Sequence, residues 1–363
     1  MMKFFLIIFF SVISLHAKSE KLKLGVVGLT HTHVHWILGY PENEDFEVVG
    51  YVEPNLELAT RYANQYNISL DLVYSTLEEM LAVQKVDAVA AFGTIYDHLA
   101  VVQECAPRGI HVMVEKPLAV NLNHAKKMAA LAKKHNVHLI TNYETTWYPS
   151  NIKANELLKA GKIGDLRKII VNDGHRGPKK IGVNEEFLEW LTDPIDNGGG
   201  AITDFGCYGA NLSTWIHNGK KPLSVTANTQ QLQKENNPKV DDEAIIILDY
   251  GSSNAILQPS WNWPIGRKDM EIYGLTGAIF ADNKNDLRIR IAEGYDGYSE
   301  EKIKLEDRKY PYADPFTFFA GVINGTIEVK PFDLSSIENN IIVIEILDAA
   351  RKSAKTGKRV YLK

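Results

Sequence analysis

The 363-residue sequence predicts an α/β chain: a doubly wound parallel sheet at the amino-terminal end, then an α+β domain built on a largely antiparallel open sheet. Three observations lead there. The length exceeds what one ordinary core organises. From Leu22 to Asn142 short apolar runs alternate with amphipathic stretches, the pattern of βαβ units. After Tyr143 the runs lengthen, alternate in polarity and are joined by turns such as Tyr250-Gly251-Ser252-Ser253, as antiparallel strands are.

The elements follow in order. Met1 to Ala17 has the form of a secretory signal, with Lys3 as a short positive region, Phe4 to Leu15 as an apolar core and Ala17 as a small residue at the cleavage point. It is too short to span a bilayer, so the chain is expected to be periplasmic or secreted, with no stable membrane insertion after cleavage. Residues 18–143 form the first domain, with strands at 23–27, 47–52, 87–92, 110–114 and 137–141 and helices at 56–66, 76–84, 99–108 and 122–136. Residues 144–363 form the second, with a helix at 152–160 and strands at 167–172, 222–232, 243–249, 253–260, 269–274 and 277–281. A final helix, 335–356, stops at Gly357, a residue suited to a helix end.

Composition narrows the function classes. With 45% hydrophobic and 23% charged residues the chain reads as an ordinary globular protein, and its two cysteines, Cys105 and Cys207, read as buried apolar residues. Loss of Lys3 with residues 1–17 takes the formal charge from −5 to −6, which argues against nucleic acid as a partner.

The first strand runs into Gly25-Val26-Val27-Gly28-Leu29-Thr30-His31-Thr32-His33. A Rossmann-type dinucleotide fingerprint has three glycines there, so that backbone amides face a pyrophosphate. Gly28 holds the first place, whereas Thr30 and His33 occupy the second and third. Glu53 ends the second strand 25 residues after Gly28, where an acidic side chain accepts from a ribose hydroxyl and disfavours a 2′-phosphate, so NAD is expected over NADP. His31, His33 and His35 admit three readings: metal ligation, contact with phosphate or substrate, or packing. No neighbouring carboxylate or cysteine completes a metal set, and none is assigned.

Glu115-Lys116-Pro117 closes the strand Ile110 to Val114 and delivers a lysine to the carboxyl end of a parallel strand, where open sheets bind ligands. With Gly198-Gly199-Gly200-Ala201-Ile202-Thr203-Asp204-Phe205-Gly206-Cys207-Tyr208, Gly161-Lys162-Ile163-Gly164, Met270 to Gly274 with Gly277, and the Ala350 to Val360 pattern, the chain resembles the Gfo/Idh/MocA family of sugar and cyclitol oxidoreductases over nearly everything after residue 17. The resemblance implies a catalytic set of Lys116 and Asp204, with Tyr208 in place of the family histidine, as in the glucose–fructose oxidoreductase and dihydrodiol dehydrogenase branch. It also matches His98 to a family histidine after the third strand, although Ile95 stands where a proline is usual.

Cofactor contacts are then expected from Gly28, Thr30, His31, His33, Glu53, Thr94, His98, Glu115 and Lys116, and substrate contacts from Tyr143, His175 and Arg176. A cationic Lys116 would lower the Tyr208 pKa, and Asp204 and Tyr208, four apart, would share one helix face. The expected activity is hydride transfer at a hydroxyl carbon of a sugar, cyclitol or glycoside by an exported enzyme holding its NAD tightly, as a homo-oligomer. Two other classes stay open: a non-redox carbohydrate-binding protein that has lost the nucleotide, and a metal-dependent lyase or hydrolase using His31, His33 and His35.

Overall fold

The structure, a computed structural model, describes residues 20–362. Residues 1–17, where a secretory signal is expected, lie outside them. In the first part the strands are β1 (Leu22–Val27), β2 (Phe46–Val52), β3 (Val73–Tyr74), β4 (Ala88–Ala91), β5 (His111–Glu115) and β6 (Leu139–Asn142). The helices between them are α1 (His35–Leu38), α2 (Leu56–Tyr66), α3 (Leu77–Val83), α4 (His98–Cys105) and α5 (Leu122–His135). All pairings are parallel, in the order β3-β2-β1-β4-β5-β6. The order reverses between β1 and β4, and a crevice opens at such a reversal, beyond the carboxyl ends of the strands. Local chemistry starts the helices: Asn55 caps α2, Thr76 and Glu79 form a capping box on α3, and Asn121 caps α5.

The second part contains α6 (Pro149–Lys159), β7 (Leu166–Gly174), α7 (Pro178–Ile181), α8 (Glu185–Leu191), α9 (Ala201–Asp204) and α10 (Gly206–Ile216). There follow β8 (Ser224–Gln230), β9 (Glu243–Asp249), β10 (Asn254–Ser260), β11 (Arg267–Gly274), β12 (Gly277–Ala281), β13 (Asp286–Glu293) and β14 (Gly297–Lys304). The chain closes with α11 (Pro315–Ile323), α12 (Ile337–Thr356) and β15 (Val360–Tyr361). The sheet runs β14-β13-β12-β11-β7-β10-β9-β8-β15, antiparallel except where β7 lies parallel to β10. That one parallel pair needs a long connection. The chain supplies it as α7 through α10 followed by β8 and β9, and this connection carries His175, Asp204 and Tyr208.

Helix α10 is buried on nearly every side between the sheet and α12. A Cβ at Gly209 would stand 2.9 Å from Leu257, so a glycine there permits the close approach of α10 to β10. Both cysteines are free and buried, as the sequence suggests.

Several elements carry no readable sequence signal. The β14 residues are exposed almost throughout, so polarity does not alternate. Helix α11 is buried all round, which erases the amphipathic period; its Phe316 and Phe319 pack with Leu22, Leu24 and Val26 of β1. Strands β3 and β15 are two residues each and exist only through their neighbours.

Candidate active site

Gly28 follows β1 with φ +78°, and a Cβ there would lie 2.5 Å from the Gly93 amide nitrogen. The turn after β1 therefore packs directly on the turn after β4. Beside it lies a cleft of about 410 Å³ lined by Gly28, Pro54, Thr76, Gly93, Thr94 and His98 among others. A Cβ at Gly93 would meet nothing within 4 Å among the described residues, so the space beside it is open. Thr94 donates to Asp97 at 2.7 Å, and His98 Nδ1 faces the Leu118 carbonyl at 3.2 Å. Burial pushes the His98 pKa from 6.5 down to about 4, and its Nε2 has no hydrogen-bond partner among the described residues.

The lining suits a dinucleotide along this cleft, but the turn is not a glycine cradle. Its amides serve the turn: Leu29 donates to Glu53 Oε2 at 2.9 Å, His31 to the Phe92 carbonyl at 2.9 Å and His33 to His31 Nδ1 at 3.0 Å. Glu53, expected to face a ribose, is 5% exposed and also accepts the Asn55 amide at 2.9 Å. Burial raises its pKa. The Thr30 hydroxyl accepts from Trp190 of α8 at 3.0 Å, and α8 covers the turn.

The three histidines separate. His35 Nδ1 meets the Tyr66 hydroxyl at 2.8 Å and points away from the site. The expected His31/His33/His35 ligand set is therefore not formed, because the short turn before α1 sends His35 towards α2. His31 is enclosed by Phe187 and Trp190, with ring centroids 4.7 and 5.8 Å away. Burial holds its pKa well below the ordinary value. His33 stacks on Trp36 at 4.0 Å, and its Nδ1 lies 2.9 Å from Glu115 Oε2. A carboxylate thus does stand beside His31 and His33, contrary to the sequence-based expectation. It comes from β5, 82 residues away, and no local spacing signals it.

Lys116 follows Glu115, before a cis bond to Pro117. Its ammonium donates to Asp204 Oδ1 at 2.5 Å and to the Asp204 carbonyl at 3.4 Å. Asp204 Oδ2 accepts from Trp261 Nε1 at 3.0 Å. Burial disfavours both charges, but each offsets the other: the Lys116 pKa lies above its ordinary value and the Asp204 pKa below it. The glycine run places Asp204. Gly198 and Gly199 have φ of +77° and +156°, and a Cβ at Gly200 would lie 1.8 Å from the Asp241 carbonyl oxygen. Asp241 accepts the amides of Gly200 at 3.0 Å and Ile202 at 2.7 Å, which anchors α9.

Two expectations need correction. Asp204 and Tyr208 do not share one helix, since Phe205 breaks α9 from α10. Nor does Lys116 activate Tyr208: its ammonium lies over the phenol ring, 5.4 Å from the centroid, and burial raises the Tyr208 pKa well above 10. Nearby carboxylates push the same way, so the phenol stays protonated.

His175 enters the site. It packs edge-on to Phe205 at 5.0 Å, and burial lowers its pKa to about 4. Arg176 is exposed, its carbonyl held by Gln233, and does not line the site. Tyr143 is fully buried behind Tyr208, at 5.4 Å, and is a packing group rather than a sugar platform.

A second cleft of about 430 Å³ is lined by Glu144, Tyr148, His175, Phe205, Arg267 and Lys268 among others. Lys268 pairs with Glu144 and lies 5.3 Å from the Tyr208 ring centroid. Burial works against the Glu144 charge, but Lys268 more than offsets it and its pKa falls to about 2. Asp173 is buried nearby and its pKa is raised well above the usual range. Sequence reasoning missed Glu144, Asp173 and Lys268. Lys268 and Asp173 meet through the β7/β11 register, a long-range fact.

Comparison with known proteins matches residues 22–143 to the family described as "Oxidoreductase family, NAD-binding Rossmann fold" and residues 152–280 to the "GFO/IDH/MocA C-terminal domain". The chain is 33% identical over 218 residues to the trans-1,2-dihydrobenzene-1,2-diol dehydrogenase of Xenopus laevis, a match spanning 59% of this chain and 60% of that one. It is 26% identical over 232 residues to the Homo sapiens enzyme of the same name, spanning 63% and 65%. Among solved structures, an NAD+ complex of an inositol dehydrogenase homolog from Azotobacter vinelandii superposes with a TM-score of 0.80 at 16% identity, covering 95% of this chain and 98% of that one. The aldose-aldose oxidoreductase of Caulobacter crescentus, complexed with glycerol, gives 0.76 at 20% identity, with 94% and 100% covered.

Proposed function

Because the chain belongs to the GFO/IDH/MocA oxidoreductase family, we propose that it is an exported, NAD-linked oxidoreductase moving a hydride to or from a hydroxyl carbon of a sugar, cyclitol or related diol. The observation that carries this reading is the buried Lys116–Asp204 pair at the end of β5, beside the crevice between β1 and β4. The names of the relatives, a diol dehydrogenase, an inositol dehydrogenase homolog and an aldose-aldose oxidoreductase, share a secondary alcohol or its carbonyl as the reacting group.

Bound nicotinamide would supply hydride exchange at the carbon bearing that oxygen. Gly28, Gly93, Thr94 and His98 would line its cleft. The remaining work is proton handling and orientation. Lys116 Nζ spends two of its donors on Asp204 and keeps one for a substrate oxygen. In the reducing direction its proton passes to the carbonyl oxygen as the carbon bearing that oxygen receives the hydride, and the amine left behind is recharged from solvent. In the oxidising direction the amine must first lose that proton, against the Asp204 charge. Tyr208, held neutral, and His175, neutral above about pH 4, act as hydrogen-bond donors that orient the substrate. Burial of Lys116 and Asp204 keeps the proton transfer out of bulk water.

Export makes free NAD scarce, so the cofactor is held tightly and recycled within a turnover or by a second substrate. Native mass spectrometry of the purified protein is expected to show a retained dinucleotide, and sugars, cyclitols or trans-diols to raise the absorbance of reduced nicotinamide. A protein that takes up no nicotinamide nucleotide and reduces none would overturn the reading.

A further inference from the structure

We infer that His31, His33 and Glu115 form a site for one divalent first-row transition ion, of the zinc or manganese type, next to the Lys116–Asp204 pair. One ligand atom from each of the three lies within 4.8 Å of the others. His33 Nδ1 and Glu115 Oε2 stand 2.9 Å apart. Two ligands each about 2.0–2.1 Å from one ion are separated by roughly 3 Å when they subtend a right angle, so this spacing already suits two ligands of a common ion. Two imidazoles with one carboxylate form a donor set that such ions favour, and three protein ligands leave at least one position for an outside oxygen.

A second observation concerns His31. The ring is 1% exposed, and its Nε2 has no hydrogen-bond partner among the described residues. Nδ1 accepts the His33 amide at 3.0 Å, so in the neutral ring the proton is stranded on Nε2. An ion at Nε2 replaces that stranded N–H, and the proton moves to Nδ1 at the expense of the bond from the His33 amide. One hydrogen bond is exchanged for a metal bond.

The surroundings hold the ligands in place, as the outer partners of metal sites do. Glu115 Oε1 accepts from Asn142 Nδ2 at 2.7 Å, and Asn142 Oδ1 accepts from Trp147 Nε1 at 3.0 Å. The His33 ring is fixed by its stack on Trp36, tilted by 14°. Its side chain remains 15% exposed, which provides a way in for the ion. The Lys116 charge acts on His31, and the Glu115 charge on Lys116, so the proton donor is within electrostatic reach of this site. The chemistry that fits is a hydroxyl or keto oxygen of a polyol, polarised by the ion.

The test uses the full protein, stripped with EDTA and titrated with Co2+. One equivalent with a ligand-field absorption spectrum, displaced by Zn2+, is expected. His33→Ala and Glu115→Gln should each weaken binding at least 100-fold. His35→Ala should leave the spectrum unchanged, as should His138→Ala, which alters a surface imidazole stacked on His111. Should one ligand variant fail to fold, the other carries the comparison. No stoichiometric spectrum, a spectrum indifferent to both ligand variants, or one lost with His138→Ala would each overturn the proposal. The titration uses neither nicotinamide nor sugar, so its result is independent of the dehydrogenase reading.

Discussion

The chemistry of single residues here is decided by burial set against pairing. Lys116 and Asp204 are both almost fully enclosed and ionised only because each answers the other. Asp204→Asn is expected to destabilise the fold by about 3–5 kcal/mol, measured by urea denaturation, since it leaves an ammonium uncompensated. Lys116→Ala should lower turnover by about 10²–10⁴-fold with dinucleotide occupancy retained, because the proton-handling role proposed for it is distinct from phosphate binding. The pH profile should separate the directions. With the Lys116 pKa raised, alcohol oxidation climbs into the alkaline range while carbonyl reduction stays level through neutrality; two parallel profiles would contradict the assignment.

His98 gives the opposite kind of titration. The unfolded chain takes up a proton at about pH 6.5 and the folded one only at about 4. Its contribution is fully present above pH 6.5 and is lost as the pH falls towards 4, amounting to about 3 kcal/mol. Urea midpoints measured from pH 7 to 4 should therefore fall, and less steeply in His98→Gln.

Among elements, the turn after β1 departs most from the pattern that its position implies. Its amides are satisfied by Glu53, Phe92 and His31, and α8 closes over it through Trp190 and Phe187. Gly28 remains essential. Gly28→Ala combines a left-handed φ with a Cβ against the Gly93 backbone, whereas Gly182→Ala has φ +75° and open space. The second should cost about 1–2 kcal/mol and the first distinctly more, compared by thermal melts; equal losses would mean that the turns do not pack as described.

For the whole molecule, the two sheets are joined by more than a linker. Helix α11 returns to the β1 side of the first sheet, and α12 packs on both α10 and α5. One face of the second sheet is left uncovered around β9, where Ile245 and Ile247 are 45% and 41% exposed. This face is proposed to pair two copies of the chain. Ile247→Asp should shift the mass measured by light scattering to that of a monomer, with the melting temperature of the subunit little changed.

Much of this was legible in order along the chain. The βαβ rhythm of residues 22–142, the lysine at a strand end and the glycine run before Asp204 are all local patterns, because strand alternation, capping and left-handed turns depend on a few consecutive residues. Tertiary structure alone decided three things. It paired Lys116 with Asp204, set Glu115 beside His31 and His33, and raised rather than lowered the Tyr208 pKa. The physical reason is common to all three: they depend on which distant groups share a dry interior, and the cost of charge in that interior is set by neighbours far off in the sequence.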